Sequence, residues 1–174
     1  MVWPSQAAVL AGKSAYGNPK GHTVGVGSAA WEGQNLVYVK APFTMTYAGV
    51  PLSRGMKVHR YCAPSLGRVL QNLMDSAHGD QATLNHWGVS IYGGGHVFRL
   101  MRDGHALSMH SYGCAVDLDP GRNGLFDRTP RFAQFPQVLA AFKAEGWRWG
   151  GDWNGNGSSA DERRADGMHW QATL

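Results

Sequence analysis

Cysteine is scarce in this chain: 174 residues contain two, Cys62 and Cys114. Two thiols make no disulfide framework, which excludes a small cross-linked scaffold, and both are expected as buried free thiols. Long apolar runs are missing as well. Nothing reaches the length of a membrane span, and the N-terminus lacks the charged head and apolar core of a secretory leader. Neither a signal peptide nor membrane insertion is therefore expected. Basic clusters are equally few. Lys and Arg outnumber Asp and Glu by 16 to 12, for a formal charge of +4 and a pI near 9.3, yet the one adjacent pair is Arg163-Arg164. A nucleic-acid footprint needs a basic stripe, so no nucleic acid is expected as a partner; bacterial cell wall suits a diffusely basic surface better.

Glycine, in contrast, is abundant at 24 residues, alongside 43% hydrophobic and 16% charged residues. That composition describes a globular protein with many loops and tight turns. The length suits a single domain over residues 1–174 with its own core, and no repeat or linker divides it. Residues 1–55 read as an irregular N-terminal wrap, with short strands over 35–39 and 43–47, around a core of residues 56–174. Trp3 and Trp31 are expected as packing anchors.

From about residue 61 a helix is expected, with Pro64 in its first turn. Leu66, Val69, Leu70, Leu73 and Met74 recur at i, i+3, i+4, i+7 and i+8 and form a core-facing stripe. The helix should end near residues 77–79, with His59 and His78 in solvated or capping positions. A strand over 87–92, an extended stretch over 96–100, a second helix near 136–145 and strands over 147–149 and 168–172 follow. The fold class expected is α+β: a small antiparallel sheet packed against two or more helices.

The chemistry gathers between Ser108 and Pro120. His110 and Asp117 lie seven residues apart, with Gly113 interrupting and Pro120 closing the stretch, so no helix presents both on one face. The residues read instead as a loop carrying His110, a turn at Gly113 and a strand from Cys114 to Asp119. Alternation points Cys114, Val116 and Leu118 into a core and Ala115, Asp117 and Asp119 toward a cleft. For Asp119 a role in the turn after the strand is the simpler reading. His169 adds a second imidazole near the C-terminus. Two imidazoles and a carboxylate make a three-ligand zinc site whose fourth position stays open.

On these residues, His110…Asp117 followed by Asp166-x-x-His169, the chain resembles the VanY-like D-alanyl-D-alanine carboxypeptidase family of zinc metallopeptidases, over roughly residues 56–171. The runs around Arg99-Leu100-Met101-Arg102, His110 and Trp149-Gly150-Gly151-Asp152-Trp153 are most similar to phage members, the L-alanyl-D-glutamate endopeptidases of endolysins. The resemblance implies zinc held by His110, Asp117 and His169, and Asp166 as the group that takes a proton from water acidified by the metal. It further implies peptidoglycan stem peptides as substrate, their carboxylates gripped by an arginine upstream of the first histidine, Arg99 or Arg102. Ser108 would hydrogen-bond peptide or orient a ligand, and Trp153 would wall the cleft.

The function expected is hydrolysis of the L-Ala–D-Glu bond by an endolysin, made as a monomer in the host cytoplasm and reaching the wall after membrane permeabilisation. The rivals are a D-Ala-D-Ala carboxypeptidase and a non-catalytic cell-wall binding module. A general base beside a complete ligand set argues against the module, since binding alone needs no base. One further motif stands apart. Asp152, Asn154 and Asn156, with Gly157 next and Asp161 beyond, copy the first half of an EF-hand calcium loop. The closing glutamate belongs where Arg163 stands, so an Asn/Gly-rich turn is the first reading and a Ca2+ site the second.

Overall fold

The computed structural model describes residues 2–102 and 104–174. Two helices carry most of the core. α3 (Ala63–Ser76) admits Pro64 in its first turn, where no backbone N–H is needed. Its stripe of Leu66, Val69, Leu70 and Leu73 is wholly buried. It packs against α5 (Pro136–Ala144), which buries Val138 and Phe142.

Six short strands form the sheet, in the order β3-β2-β5-β6-β8-β7. They are β2 (Thr46–Tyr47), β3 (Val50–Pro51), β5 (Ile91–Gly94), β6 (Ala115–Leu118), β7 (Arg148–Trp149) and β8 (His169–Gln171). All neighbours are antiparallel except β2 and β5, which run parallel. The central pair sets Asp117 opposite His169, Val116 opposite Trp170 and Ala115 opposite Gln171. Opposed residues share a face and neighbours alternate. One face therefore carries Asp117 and His169. The other sends Trp170 into the core, stacked on Phe142 at 3.9 Å between ring centroids, with Phe132 edge-on at 5.8 Å.

The N-terminal wrap is more ordered than its composition suggests. Ser5 and Ser28 accept from backbone N–H groups and cap two short helices, α1 (Gln6–Leu10) and α2 (Ala29–Asn35). β1 (Leu36–Val39) pairs with β4 (Met56–His59) as a separate antiparallel ribbon. Trp3 donates to the Glu145 carbonyl and Trp31 to that of Tyr16, both as buried anchors. Cys62 and Cys114 are buried free thiols.

Two expectations fail locally, the strand over 87–92 and a solvated His59, while Asp119 takes the turn role expected of it. Residues 87–92 do not begin as a strand: Asp80 accepts from Ala82 and Thr83 N–H and starts α4 (Gln81–Trp87), which Gly88 ends at φ +93°. Cap chemistry at both ends outweighs the β-propensity of the residues that follow, and the strand is displaced to β5. Asp119 lies at φ +44°, which breaks the alternation. Its carboxylate is buried and accepts from Arg122 Nε at 2.7 Å, holding the turn after β6 rather than facing the cleft.

His59 is not solvated but fully buried, stacked on Tyr61 and edge-on to Tyr16, with Tyr61 N–H donating to its Nδ1. Burial, helped by the neighbouring Arg60 charge, pushes its pKa down to about 4 from an ordinary 6.5. Between those values the unfolded chain takes up a proton that the folded chain refuses. Stability that is whole above pH 6.5 is therefore lost as pH falls toward 4, by roughly 2–3 kcal/mol. In denaturant titrations across this range, His59→Phe should show a correspondingly flatter pH dependence than the wild type. Equal slopes would show that His59 is not the group responsible.

Candidate metal centre

His110 sits on a single 3-10 turn, Met109–Tyr112, not on a loop. Ser108 Oγ caps the turn by accepting from His110 N–H, and Gly113 ends it at φ +65°. A side chain at Gly113 is excluded twice over. Its φ disfavours one, and a Cβ would come within 2.6 Å of Leu36 and 2.8 Å of the His59 nitrogen. The β1–β4 ribbon thus clamps the turn, and His59 N–H donates to the Gly113 carbonyl.

From this turn His110 reaches Asp117 and His169 on the sheet. Its Nδ1 lies 2.7 Å from the Gly95 carbonyl, so Nδ1 carries the proton and Nε2 offers a lone pair. That Nε2 is 3.1 Å from His169 Nδ1 and 3.2 Å from Asp117 Oδ1, and the last two atoms are 3.1 Å apart. His169 Nε2 faces Gln171 Oε1 at 3.1 Å. Both histidines are buried. Ligands at tetrahedral zinc distances stand about 3.3 Å apart, so this nitrogen, nitrogen and oxygen set suits the metal in spacing and in donor type. Among the described residues it is the one group of three or more His, Cys, Asp or Glu side chains arranged to hold a metal ion.

The electrostatics separate the site's two carboxylates. Burial alone would raise the Asp117 pKa, but the close contact of the His110 and His169 imidazoles outweighs it and holds it well below the carboxylate range. Burial likewise works against a charged His169, and the Asp117 contact reverses that and raises its pKa. Asp166 goes the other way. Burial pushes its carboxyl up and Asp117 adds to the push, against the pull of His169, His110 and Arg102. Its Oδ1 is buried with no hydrogen-bond partner, an arrangement suited to a group that exchanges a proton with something in the cleft.

Asp166 is held by backbone. Its N–H donates to the Gly150 carbonyl at 2.8 Å, and its own carbonyl accepts from His169 N–H at 3.0 Å. Asp117, His169 and Asp166 line a cleft of about 360 Å³ together with Arg99, Arg102, Ser108 and Trp153. Trp153 tilts over His169 at 5.8 Å, backed on the ring by the Arg148 guanidinium, and its Nε1 donates to the Arg164 carbonyl. Gln6 and Gln171 also line the cleft, although no motif singles them out. Gln171 was within reach of period-two alternation from His169; Gln6 lies 165 residues away from it and gives no such signal.

The Asp152, Asn154, Asn156 and Asp161 loop is closed by its own groups. Asp152 accepts from the N–H of Asn156 and Gly157, and Asp161 accepts from the Asn156 amide at 2.6 Å. Asn154 N–H donates to Glu162. These bonds account for the loop as a turn.

One buried imidazole on a 3-10 turn, and a second imidazole and a carboxylate on a sheet face, form a candidate metal centre beside a carboxyl whose Oδ1 has no partner, in an arginine-lined cleft. Residues 102–172, less than half of the chain, match the family model described as D-alanyl-D-alanine carboxypeptidase. The match spans all four of these side chains. It supports the VanY-like family and indicates a metallopeptidase acting on peptidoglycan. No solved structure matches the chain at a significant level.

Gly150 permits the close approach that positions Asp166. A Cβ there would lie 2.5 Å from the Asp166 carbonyl oxygen and 3.1 Å from His169 Cβ. Gly150→Ala should cost about 1–3 kcal/mol by overpacking, read from chemical denaturation. An unchanged midpoint would mean that the loop yields freely.

Proposed function

We propose that the chain is a zinc-dependent peptidase of peptidoglycan stem peptides that cuts between L-Ala and D-Glu, as an endolysin does. The observation that carries this reading is the triangle of His110 Nε2, Asp117 Oδ1 and His169 Nδ1, 3.1–3.2 Å on a side, next to the partnerless Asp166 carboxyl. Zinc, when bound by these three residues, supplies Lewis-acid polarisation of the scissile carbonyl and acidifies water.

The protein groups do the rest. Asp166, with its pKa raised, takes the proton of the attacking water on its carboxylate and returns it to the departing amine. Arg99 and Arg102 line the cleft and pair with stem-peptide carboxylates through the guanidinium fork. Ser108 acts through His110, whose turn it caps. Trp153 shields one side of His169. Calcium at residues 152–161 has no support, and that loop is read as a self-closed turn.

The endopeptidase reading rests on the phage-like runs around Arg99 to Arg102 and Trp149 to Trp153. The description of the matching family model favours a second reading, release of a terminal D-alanine. Among the described residues no helix is long and apolar enough to cross a membrane. Synthesis in the host cytoplasm, access to the wall after permeabilisation, and action as a monomer complete the proposal.

Purified protein should hold about one zinc per chain, and His110→Ala or His169→Ala should lose it, because two protein ligands seldom hold zinc tightly. Metal analysis finding equal zinc in wild type and both variants would refute the assignment. Asp166→Asn should keep the metal yet lower turnover roughly a hundredfold or more, and an unchanged rate on murein would remove Asp166 from its role. Mass spectrometry of digested murein decides the bond: a new D-Glu amine supports the endopeptidase, free D-alanine the carboxypeptidase, and no product the binding module.

A further inference from the structure

The two histidines of the metal triangle are oriented by different kinds of partner. His110 Nδ1 meets a backbone carbonyl, that of Gly95, which cannot turn over. His169 Nε2 meets a side-chain amide, Gln171, which can. An amide that presented its NH2 to the imidazole would place the ring proton on Nδ1, the atom 3.1 Å from Asp117 Oδ1, and would abolish the lone pair a metal requires there.

What prevents this lies outside the family-matched segment. Gln171 Nε2 donates to Gln6 Oε1 at 3.2 Å and to Thr173 Oγ1. The Gln6 amide is oriented in turn, its Nε2 directed at Met101 Sδ, which leaves Oε1 for Gln171. Gln6 is itself fixed in place: its N–H donates to the Leu174 carbonyl at 2.9 Å, Leu174 N–H donates to Pro4, and Val9 on the same helix is fully buried. Gln171 is 2% exposed, so water does not stand in for a lost partner.

Resting on the reading of the site as a metal centre, we propose that Gln171, held by Gln6 of helix α1, is a positioning residue that keeps the His169 proton on Nε2 and so readies Nδ1 for zinc. Outer partners of metal-bound histidines fix ring tautomer and orientation in this way, and their loss typically costs 10–100-fold in metal affinity. The N-terminal helix thereby becomes a working part of the centre. β8 makes this possible, because residues two apart on a strand share a face.

The test measures zinc dissociation constants by chelator competition for wild type, Gln171→Leu, Gln171→Glu and Gln6→Leu, with circular dichroism confirming each fold. Nitrogen-15 NMR reads the His169 tautomer with and without zinc. Gln171→Leu should weaken zinc about 10–100-fold and mix the tautomers. Gln171→Glu, which keeps an oxygen facing Nε2, should stay within about threefold of wild type, and Gln6→Leu should fall between. A folded Gln171→Leu that binds zinc like wild type overturns the proposal, as does a wild-type His169 protonated on Nδ1. Wild type that binds no zinc refutes the metal centre itself. In that case an Nε2-protonated His169 that loses its tautomer in Gln171→Leu still supports the hold of Gln171 on the ring.

Discussion

Three electron-pair donors face one another across 3.1–3.2 Å in a buried place, and the rest of the structure is arranged around keeping them there. Without a cation or a proton among them such atoms repel, and a buried acceptor left unpaired costs about 1–3 kcal/mol. The arrangement persists because each donor is fixed from behind. The Gly95 carbonyl and the Ser108 cap hold His110, and the register of β6 and β8 holds Asp117 opposite His169. Trp170, between His169 and Gln171 in sequence, is locked into the core by stacking on Phe142. A one-residue slip of β8 would send Trp170 into the cleft and His169 into the core, so packing enforces the register that the site needs.

The same geometry drives the two carboxylates apart. Asp117 lies between two imidazoles and is held ionised, whereas Asp166 is desolvated beside that negative charge and pushed toward its protonated form. Carboxylates in one cleft with opposite tendencies are the arrangement in which one group binds a cation and the other carries a proton. Backbone contacts achieve this separation: Gly150 and His169 fix the Asp166 main chain and leave its Oδ1 without a partner. The placement of Asp166 in this way depends on a glycine whose own chemistry is nil.

The N-terminal segment is part of this apparatus and not a loose wrapping. β1 and β4 press on Gly113 and shape the His110 turn, α1 brings Gln6 to the cleft, and the Tyr16 hydroxyl donates to the Ala172 carbonyl beyond β8. These contacts join residues far apart in the chain, 156 positions for Tyr16 and Ala172 and 165 for Gln6 and Gln171, and no local pattern announces them.

Sequence alone determined a good deal. Spacing of apolar residues located α3, alternation placed Val116 in the core and Asp117 on the cleft face, and His110, Asp117, Asp166 and His169 were legible as a group through their resemblance to a peptidase motif. Local cap chemistry was legible too: it marked Asp119 as a turn residue, but it was underweighted at Asp80, where a helix displaced the expected strand. Only the tertiary structure decided which imidazole nitrogens face Asp117, that Asp166 Oδ1 lacks a hydrogen-bond partner, that His59 is buried, and that Gln6 reaches Gln171. The physical reason is range. Period and caps act within a few residues, whereas burial, proton placement and hydrogen bonds across 165 positions exist only once the β6–β8 register and the packing around Trp170 have brought the ends of the chain together.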